Sequence, residues 1–250
     1  MSDEVLTERR GRVLVITLNR PDQMNSINTA LAQALVAAIE ELDSDPALSL
    51  GVLTGAGRGF SAGMDLKAFA KEGPPQGFQR FIEHGSGKPL VAAIEGFCLA
   101  GGLEMALVCD LLVAADNVRF GIPEVGVGLF AGGGALLRLP RRVPYGVAME
   151  MALTGDPISA AKALELGLVS RLTEKGGALD GALELAERIA KNAPLSLKAT
   201  KAVLREMQGH TEGEFWKMQA SHIKSVFTSD DAKEGPRAFA EKRPPVWSGS

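Results

Sequence analysis

An α/β fold is predicted by three observations. Short runs rich in β-branched residues, of which Val13-Leu14-Val15-Ile16-Thr17-Leu18 is the clearest, alternate with helical stretches up to about residue 145. Strands separated by helices imply parallel pairing. Beyond that point the texture changes to one helix after another. No linker, sequence repeat or low-complexity segment divides the chain. Its 250 residues are therefore read as one domain, 1–250, with an α/β core to about residue 177 and a helical region from about 178.

The elements follow in order. Residues 13–18 form a buried strand, which Asn19-Arg20-Pro21-Asp22 ends. Asn28 or Thr29 caps a helix through Leu42, because Leu31, Leu35, Ile39 and Leu42 share one face. Residues 48–54, 90–94 and 111–114 read as further strands, with a short helix from Gly101 to about Cys109 between the last two. Helices are expected over 145–153, 159–166, 178–191, 194–208 and 212–226, interrupted by a strand-like run at 168–172. The stretch Lys71-Glu72-Gly73-Pro74-Pro75-Gln76-Gly77 is rich in breakers and reads as a surface loop of the kind that borders sites.

Composition excludes several function classes. Apolar residues make up 46 % of the chain, enough for a sizeable core without disulfides. A net charge of −3 exerts no general pull on nucleic acid or anionic lipid. Cys98 and Cys109 fit neither a disulfide framework nor a zinc site and read as small buried apolar residues. The start, Met1-Ser2-Asp3-Glu4, is acidic and lacks an apolar leader, and no apolar run is long enough to span a membrane. A soluble, cytoplasmic setting is expected.

Several glycine motifs are ordinary turn chemistry. Gly55-Ala56-Gly57-Arg58-Gly59 misses the dinucleotide spacing because position 60 is Phe. Gly85-Ser86-Gly87-Lys88 lacks the upstream Gly and the following hydroxyl of a phosphate loop. His84, His210 and His222 form no metal-ligand spacing, so no metal is expected, and no G-x-S-x-G elbow is present.

Two segments resist such readings. In Phe60-Ser61-Ala62-Gly63-Met64-Asp65-Leu66-Lys67, Gly63 permits a sharp bend that can aim the next N–H into a pocket. In Ala100-Gly101-Gly102-Leu103-Glu104, a glycine pair opens a helix, where unpaired N–H groups can hold a developing negative charge. Residues 101 and 104 share a helix face. The apolar run Met105-Ala106-Leu107-Val108 argues that this helix is buried, and a buried glutamate needs a reason. A second carboxylate follows in Phe120-Gly121-Ile122-Pro123-Glu124.

Taken in order, these segments resemble the crotonase, or enoyl-CoA hydratase/isomerase, superfamily. Asn19-Arg20-Pro21 with Asn25, Leu153-Thr154-Gly155, the run from Ala163 to Val169 and Phe239-Ala240-Glu241-Lys242-Arg243 fit the same pattern, so the resemblance runs from about Val13 to Trp247. It implies a spiral of ββα units with a helical C-terminal trimerisation region, assembled as a homotrimer or a dimer of trimers. It implies an acyl-CoA thioester substrate and a stabilised thioester enolate. No separate cofactor is implied, coenzyme A being part of the substrate. By position, the backbone N–H groups of Met64 and Gly101 would form the oxyanion hole. Glu104 would activate water for attack at Cβ, and Glu124 would exchange a proton with Cα. Ala62, Asp65, Leu66, Lys67, Phe239 and Lys242 would contact substrate or its CoA moiety. Two glutamates tilt the reading toward an enoyl-CoA hydratase and separate it from a non-catalytic acyl-CoA binder, while enoyl-CoA isomerase or other crotonase-type acyl-CoA chemistry stays as the alternative. The tail 234–247 looks closest to the carnitinyl-CoA dehydratase branch. That branch carries an acid where Gly132 stands, so an uncharged acyl chain is expected here.

Overall fold

The computed structural model describes residues 3–250. Met1 and Ser2, part of the acidic start noted above, lie outside the described residues. In chain order the first half comprises β1 (Val5–Arg10), β2 (Val13–Leu18), α1 (Thr29–Ser44), β3 (Leu50–Gly55), α2 (Leu66–Glu72), α3 (Phe78–His84), β4 (Leu90–Ile94), β5 (Phe97–Leu99), α4 (Gly101–Val108), β6 (Leu111–Ala115) and β7 (Arg119–Gly121). The second half comprises α5 (Ala135–Arg138), α6 (Tyr145–Thr154), β8 (Ile158–Ser159), α7 (Ala160–Glu165), β9 (Arg171–Thr173), α8 (Ala178–Ala190), α9 (Pro194–Glu206), α10 (Glu212–Phe227) and α11 (Asp230–Ala240).

A six-stranded sheet runs β1-β2-β3-β4-β6-β9, parallel except for the β1–β2 hairpin. Both faces are covered, as a parallel sheet requires. Leu14, Ile16 and Leu18 face the main core beside Leu31, Leu35 and Leu42 of α1. The alternate residues Val13, Leu50, Val52, Val91 and Val113 form a second cluster with Ala182 and Ala186 of α8. Asn28 rather than Thr29 caps α1, its Oδ1 accepting the Leu31 N–H at 2.8 Å.

A smaller sheet, β5-β7-β8, lies alongside. The chain winds between the two as a spiral. β4 enters the large sheet and β5 the small one, and α4 closes that turn. β6 and β7 repeat the move. Earlier turns contribute single parallel bridges instead, Ser61 with Cys98 and Ile27 with Met64. The corner between β4 and β5 is Gly96 at φ 59°, where a Cβ would collide with the Arg58 carbonyl. Asn25, itself buried, ties two turns together: its Nδ2 donates to the Ala56 and Gly59 carbonyls at 2.8 and 2.9 Å, and its Oδ1 accepts the Arg20 N–H.

The elements read from the sequence lie within a few residues of their predicted bounds, and the differences have physical causes. The strand expected over 168–172 is Arg171–Thr173, because Leu168 and Val169 are buried in the turn that precedes it. The breaker-rich stretch 71–77 is not all loop: Lys71 and Glu72 finish α2, whose C-cap is Gly73 at φ 78°. β1 has a largely exposed side-chain pattern and gives no periodicity. α11 carries Pro236 inside it and escapes a helix reading for that reason. Both cysteines are buried, and burial pushes the Cys98 thiol well up and the Cys109 thiol up to about 12.

Candidate active site

Two neighbouring turns of the spiral meet at Gly63–Met64 and Ala100–Gly101. Gly63 adopts φ 94°, and a Cβ there would fall 2.6 Å from the Ala100 Cβ and 2.9 Å from the Gly101 nitrogen. Only glycine allows this approach. Ala100 itself is held at φ 49°, a conformation that is strained for a residue with a side chain. Its N–H donates to the Gly121 carbonyl at 2.9 Å, which ties the start of α4 to the end of β7. Gly102 is equally constrained, because a Cβ would collide with the Ser61 carbonyl.

The amides of Met64 and Gly101 are free of internal acceptors among the described residues. Met64 is bridged by Ile27, but the bonds of that bridge are made by the Gly63 carbonyl and the Asp65 N–H. Gly101 is the first residue of α4, where an N–H has no partner within the helix. A Cβ placed on Gly101 would lie 3.6 Å from the Met64 nitrogen, so the two donors are neighbours.

Both residues line a cavity of about 550 Å³, together with Ala62, Leu66, Glu104 and Glu124. Glu104 sits one turn into α4 and is 4 % exposed. Its Oε1 accepts the Ala135 N–H at 3.2 Å, and the Gly133 N–H also faces its carboxylate. A Cβ on Gly133 would collide with that carboxylate, so the glycine run 132–134 shapes a cradle for it. Glu124 lies in the 3-10 turn Pro123–Val127 after β7 and is half-buried. Its Oε2 is buried without a hydrogen-bond partner.

Burial is the main electrostatic influence on both acids. It lifts Glu104 to about 7, helped by the nearby Glu124 charge and opposed by the Ala135 and Gly133 amides and by Arg138. It raises Glu124 as well. The Glu124 charge acts on Glu104, so the titrations of the buried and the half-buried acid are linked.

A stability effect follows from that shift. From the ordinary 4.5 up to about 7 the native chain binds more protons at Glu104 than the unfolded chain does. Its contribution to stability therefore falls as pH rises through this window. Glu104→Gln removes the titration, so the thermal midpoint of the variant should gain on wild type between about pH 5 and about pH 8. A midpoint difference that stays constant across that range would contradict the shift.

The remaining lining is apolar. Phe69, Phe78, Val127, Leu129 and Phe130 surround the acids, and Pro74 and Pro75 of the breaker-rich stretch complete the rim. None of these was singled out from sequence, although the loop reading pointed to the right neighbourhood. Four other expected contacts stand elsewhere. The Asp65 carboxylate caps α2 through the Lys67 and Ala68 N–H groups and pairs with Arg20 at 3.1 Å. Lys67 is exposed in the first turn of α2. Phe239, in α11, is 87 % exposed, and Lys242 follows that helix on the surface at φ 53°. None of the four lines the cavity of the single chain.

Proteins of known family match nearly the whole chain. The model of the family described as enoyl-CoA hydratase/isomerase matches residues 8–250. Enoyl-CoA hydratase EchA19 of Mycobacterium tuberculosis is 42 % identical, over 97 % of this chain and 95 % of its own length. Carnitinyl-CoA dehydratase of Salmonella paratyphi A is 39 % identical over the full length of both. A crystal structure of an enoyl-CoA hydratase from Mycobacterium tuberculosis superposes over the whole of both chains with a TM-score of 0.95 at 52 % identity.

Proposed function

The chain belongs to the enoyl-CoA hydratase/isomerase family, the crotonases, and on that premise we propose that it adds water reversibly across the 2,3 double bond of a 2-enoyl-CoA thioester. One observation carries this reading: a buried and a half-buried carboxylate and two free backbone amides line the same cavity. Hydration needs a base for the water that attacks Cβ, an acid for Cα and donors for the thioester oxygen as it becomes an enolate. A pair of carboxyl groups holding one proton supplies the first two. The Met64 and Gly101 amides supply the third, and the dipole of α4 adds to their pull.

The proposed division of labour rests on the hydrogen bonds. Glu104 keeps its backbone donors at Gly133 and Ala135, which favour its anion. Glu124 has its own backbone N–H as a donor, but its buried Oε2 has no partner among the described residues, so its anion is the less supported of the two. An acyl group that fills the cavity displaces solvent from both acids. On this reading the donors, rather than burial, decide between them. Glu104 takes the proton from the attacking water as its oxygen bonds to Cβ, and Glu124 delivers its proton to Cα. The reverse sequence eliminates water from a 3-hydroxyacyl-CoA.

The apolar lining and Gly132 in the wall fit an uncharged acyl chain. A quaternary ammonium group would want an acid at position 132, and this chain has Gly132 there, in the cavity wall. The test is product analysis with a panel of 2-enoyl-CoA and 3-hydroxyacyl-CoA thioesters. Interconversion of the two classes, with a β-hydroxy trimethylammonium acyl-CoA turned over poorly, is the expected result. A shifted double bond or a free acid as the main product would move the chain to another crotonase reaction.

The enzyme is further read as a cytoplasmic homotrimer or dimer of trimers. Trp216, Ile223 and Phe227 of α10 and Leu204 of α9 are all more than two-fifths exposed, an apolar surface that association would cover. Phe239 and Lys242 would reach a CoA moiety only across such a contact. Sedimentation equilibrium at micromolar concentration should show a trimer or hexamer, and a monomer alone would contradict it.

A further inference from the structure

A second cavity, of about 230 Å³, lies at the opposite end of α4 from Gly101, beside Leu107 and Val108. Four guanidinium groups line it: Arg138, Arg141, Arg142 and Arg205. Each is hydrogen-bonded, but to neutral oxygen. Arg138 donates to the Ile82 carbonyl, and Arg142 to the Leu107 and Cys109 carbonyls at 3.2 and 2.6 Å. Arg205 donates to the His84 carbonyl at 3.2 Å, and Arg141 to Gln208 Oε1 at 2.6 Å.

Among the described residues, none of the four is within ion-pair distance of a carboxylate. The one acid in the wall, Asp110, is already bound by Lys201 at 2.7 Å and by the Leu90 N–H. The positive charge is therefore concentrated and has no direct carboxylate partner, with Glu104 acting on Arg138 and Asp110 on Arg142 from beyond ion-pair distance. Arg138 and Arg142 are half-buried, which weakens the screening of that charge by water. Burial and the charges of Arg205 and Arg142 both disfavour the Arg138 cation.

A guanidinium offers five N–H donors, and these four use one or two each. The unused donors suit an acceptor with several oxygens and more than one negative charge, which arginine binds in paired fashion. We propose that this cavity binds a phosphate dianion, either free or as the monoester of a nucleotide, at a site separate from the acyl-CoA cavity. Nothing in the proposed hydration chemistry requires four unpaired cations behind the glutamate helix, whereas a phosphate group neutralises them and bridges α5, the segment after it and α9.

Thermal unfolding in phosphate against chloride at matched ionic strength tests the site without reference to turnover. A few millimolar phosphate should raise the wild-type midpoint by about 2–4 °C over the chloride control. The double variant Arg141→Gln/Arg205→Gln should lose that rise while melting at the wild-type temperature in chloride. Isothermal titration with inorganic phosphate and, separately, with adenosine 3′,5′-bisphosphate distinguishes a free ion from a nucleotide phosphate. At least one should bind wild type, about tenfold or more tighter than the double variant. If the double variant does not fold, titration of wild type and of Arg205→Gln alone decides. Equal binding to variant and wild type, or no effect of phosphate beyond ionic strength, overturns the proposal. Loss of the oligomer in the double variant, with no phosphate binding by wild type, also overturns it and assigns the arginines to carboxylates of a second copy.

Discussion

Glu104→Gln lowers kcat on a 2-enoyl-CoA by about 10²-fold or more, and Glu124→Gln does the same, with KM nearly unchanged. The substitution keeps the shape of each side chain. A glutamine at 104 keeps one acceptor oxygen for the Ala135 N–H and gives up the acceptor that faces the Gly133 N–H. What is lost is the proton: a carboxamide neither takes one from water nor gives one to Cα. Because both acids act in one step, the double variant should fall little further than the worse single one. Steady-state kinetics with one 2-enoyl-CoA, alongside a binding measurement with a saturated acyl-CoA, separates loss of chemistry from loss of binding. Retention of wild-type turnover by either single variant would remove that acid from the mechanism. The pH profile of the wild-type kcat/KM should fall on the acid side as the pair takes up its second proton, an apparent value that belongs to both residues.

Gly101→Val is expected to be as severe, with a loss of about 10²- to 10³-fold in kcat from disabling one oxyanion donor. The Cβ alone would stand 3.0 Å from Ile27 Cδ1 and 3.6 Å from the Met64 nitrogen. Two further methyl groups then cover the space a thioester oxygen must enter. Gly101→Ala supplies the graded control, since a single methyl asks only for a small move of a flexible isoleucine end. Gly101→Pro removes the N–H itself, and proline is tolerated at the first residue of a helix. Circular dichroism establishes that each variant is folded. Full activity of folded Gly101→Val would refute the assignment of this amide.

The contrast between Glu104 and Glu124 illustrates what was legible before the structure. Glu104 stands in an apolar helix that opens on two glycines, and its burial follows from its neighbours. Glu124 follows a proline in a turn, and its local sequence describes an exposed acid. Only the resemblance places it in the site, and the pairing of β7 with β5, continued by the Ala100 to Gly121 hydrogen bond, brings it there. The large sheet was legible because its inner strands are apolar on both faces. The small sheet was not, because its strands are two or three residues long and its further contacts are single bridges drawn from turns far apart in sequence. Asp65 matched a motif yet serves as a helix cap and ion-pair partner of Arg20. A match in sequence locates a turn, and the spiral then decides which of its side chains reach the cavity.

The two buried thiols make the protein its own reporter of opening. Cys98 lies in β5 beside the 61–64 turn, and Cys109 caps the far end of α4, so together they bracket the elements that hold the two amides. A thiol that is both inaccessible and far from ionising is inert to an alkylating reagent. Its labelling rate in the native protein then counts excursions in which β5 or α4 comes away. A ligand that clamps the amide pair should slow both thiols together, and a single cysteine introduced on the surface would carry a fluorophore without competition from either.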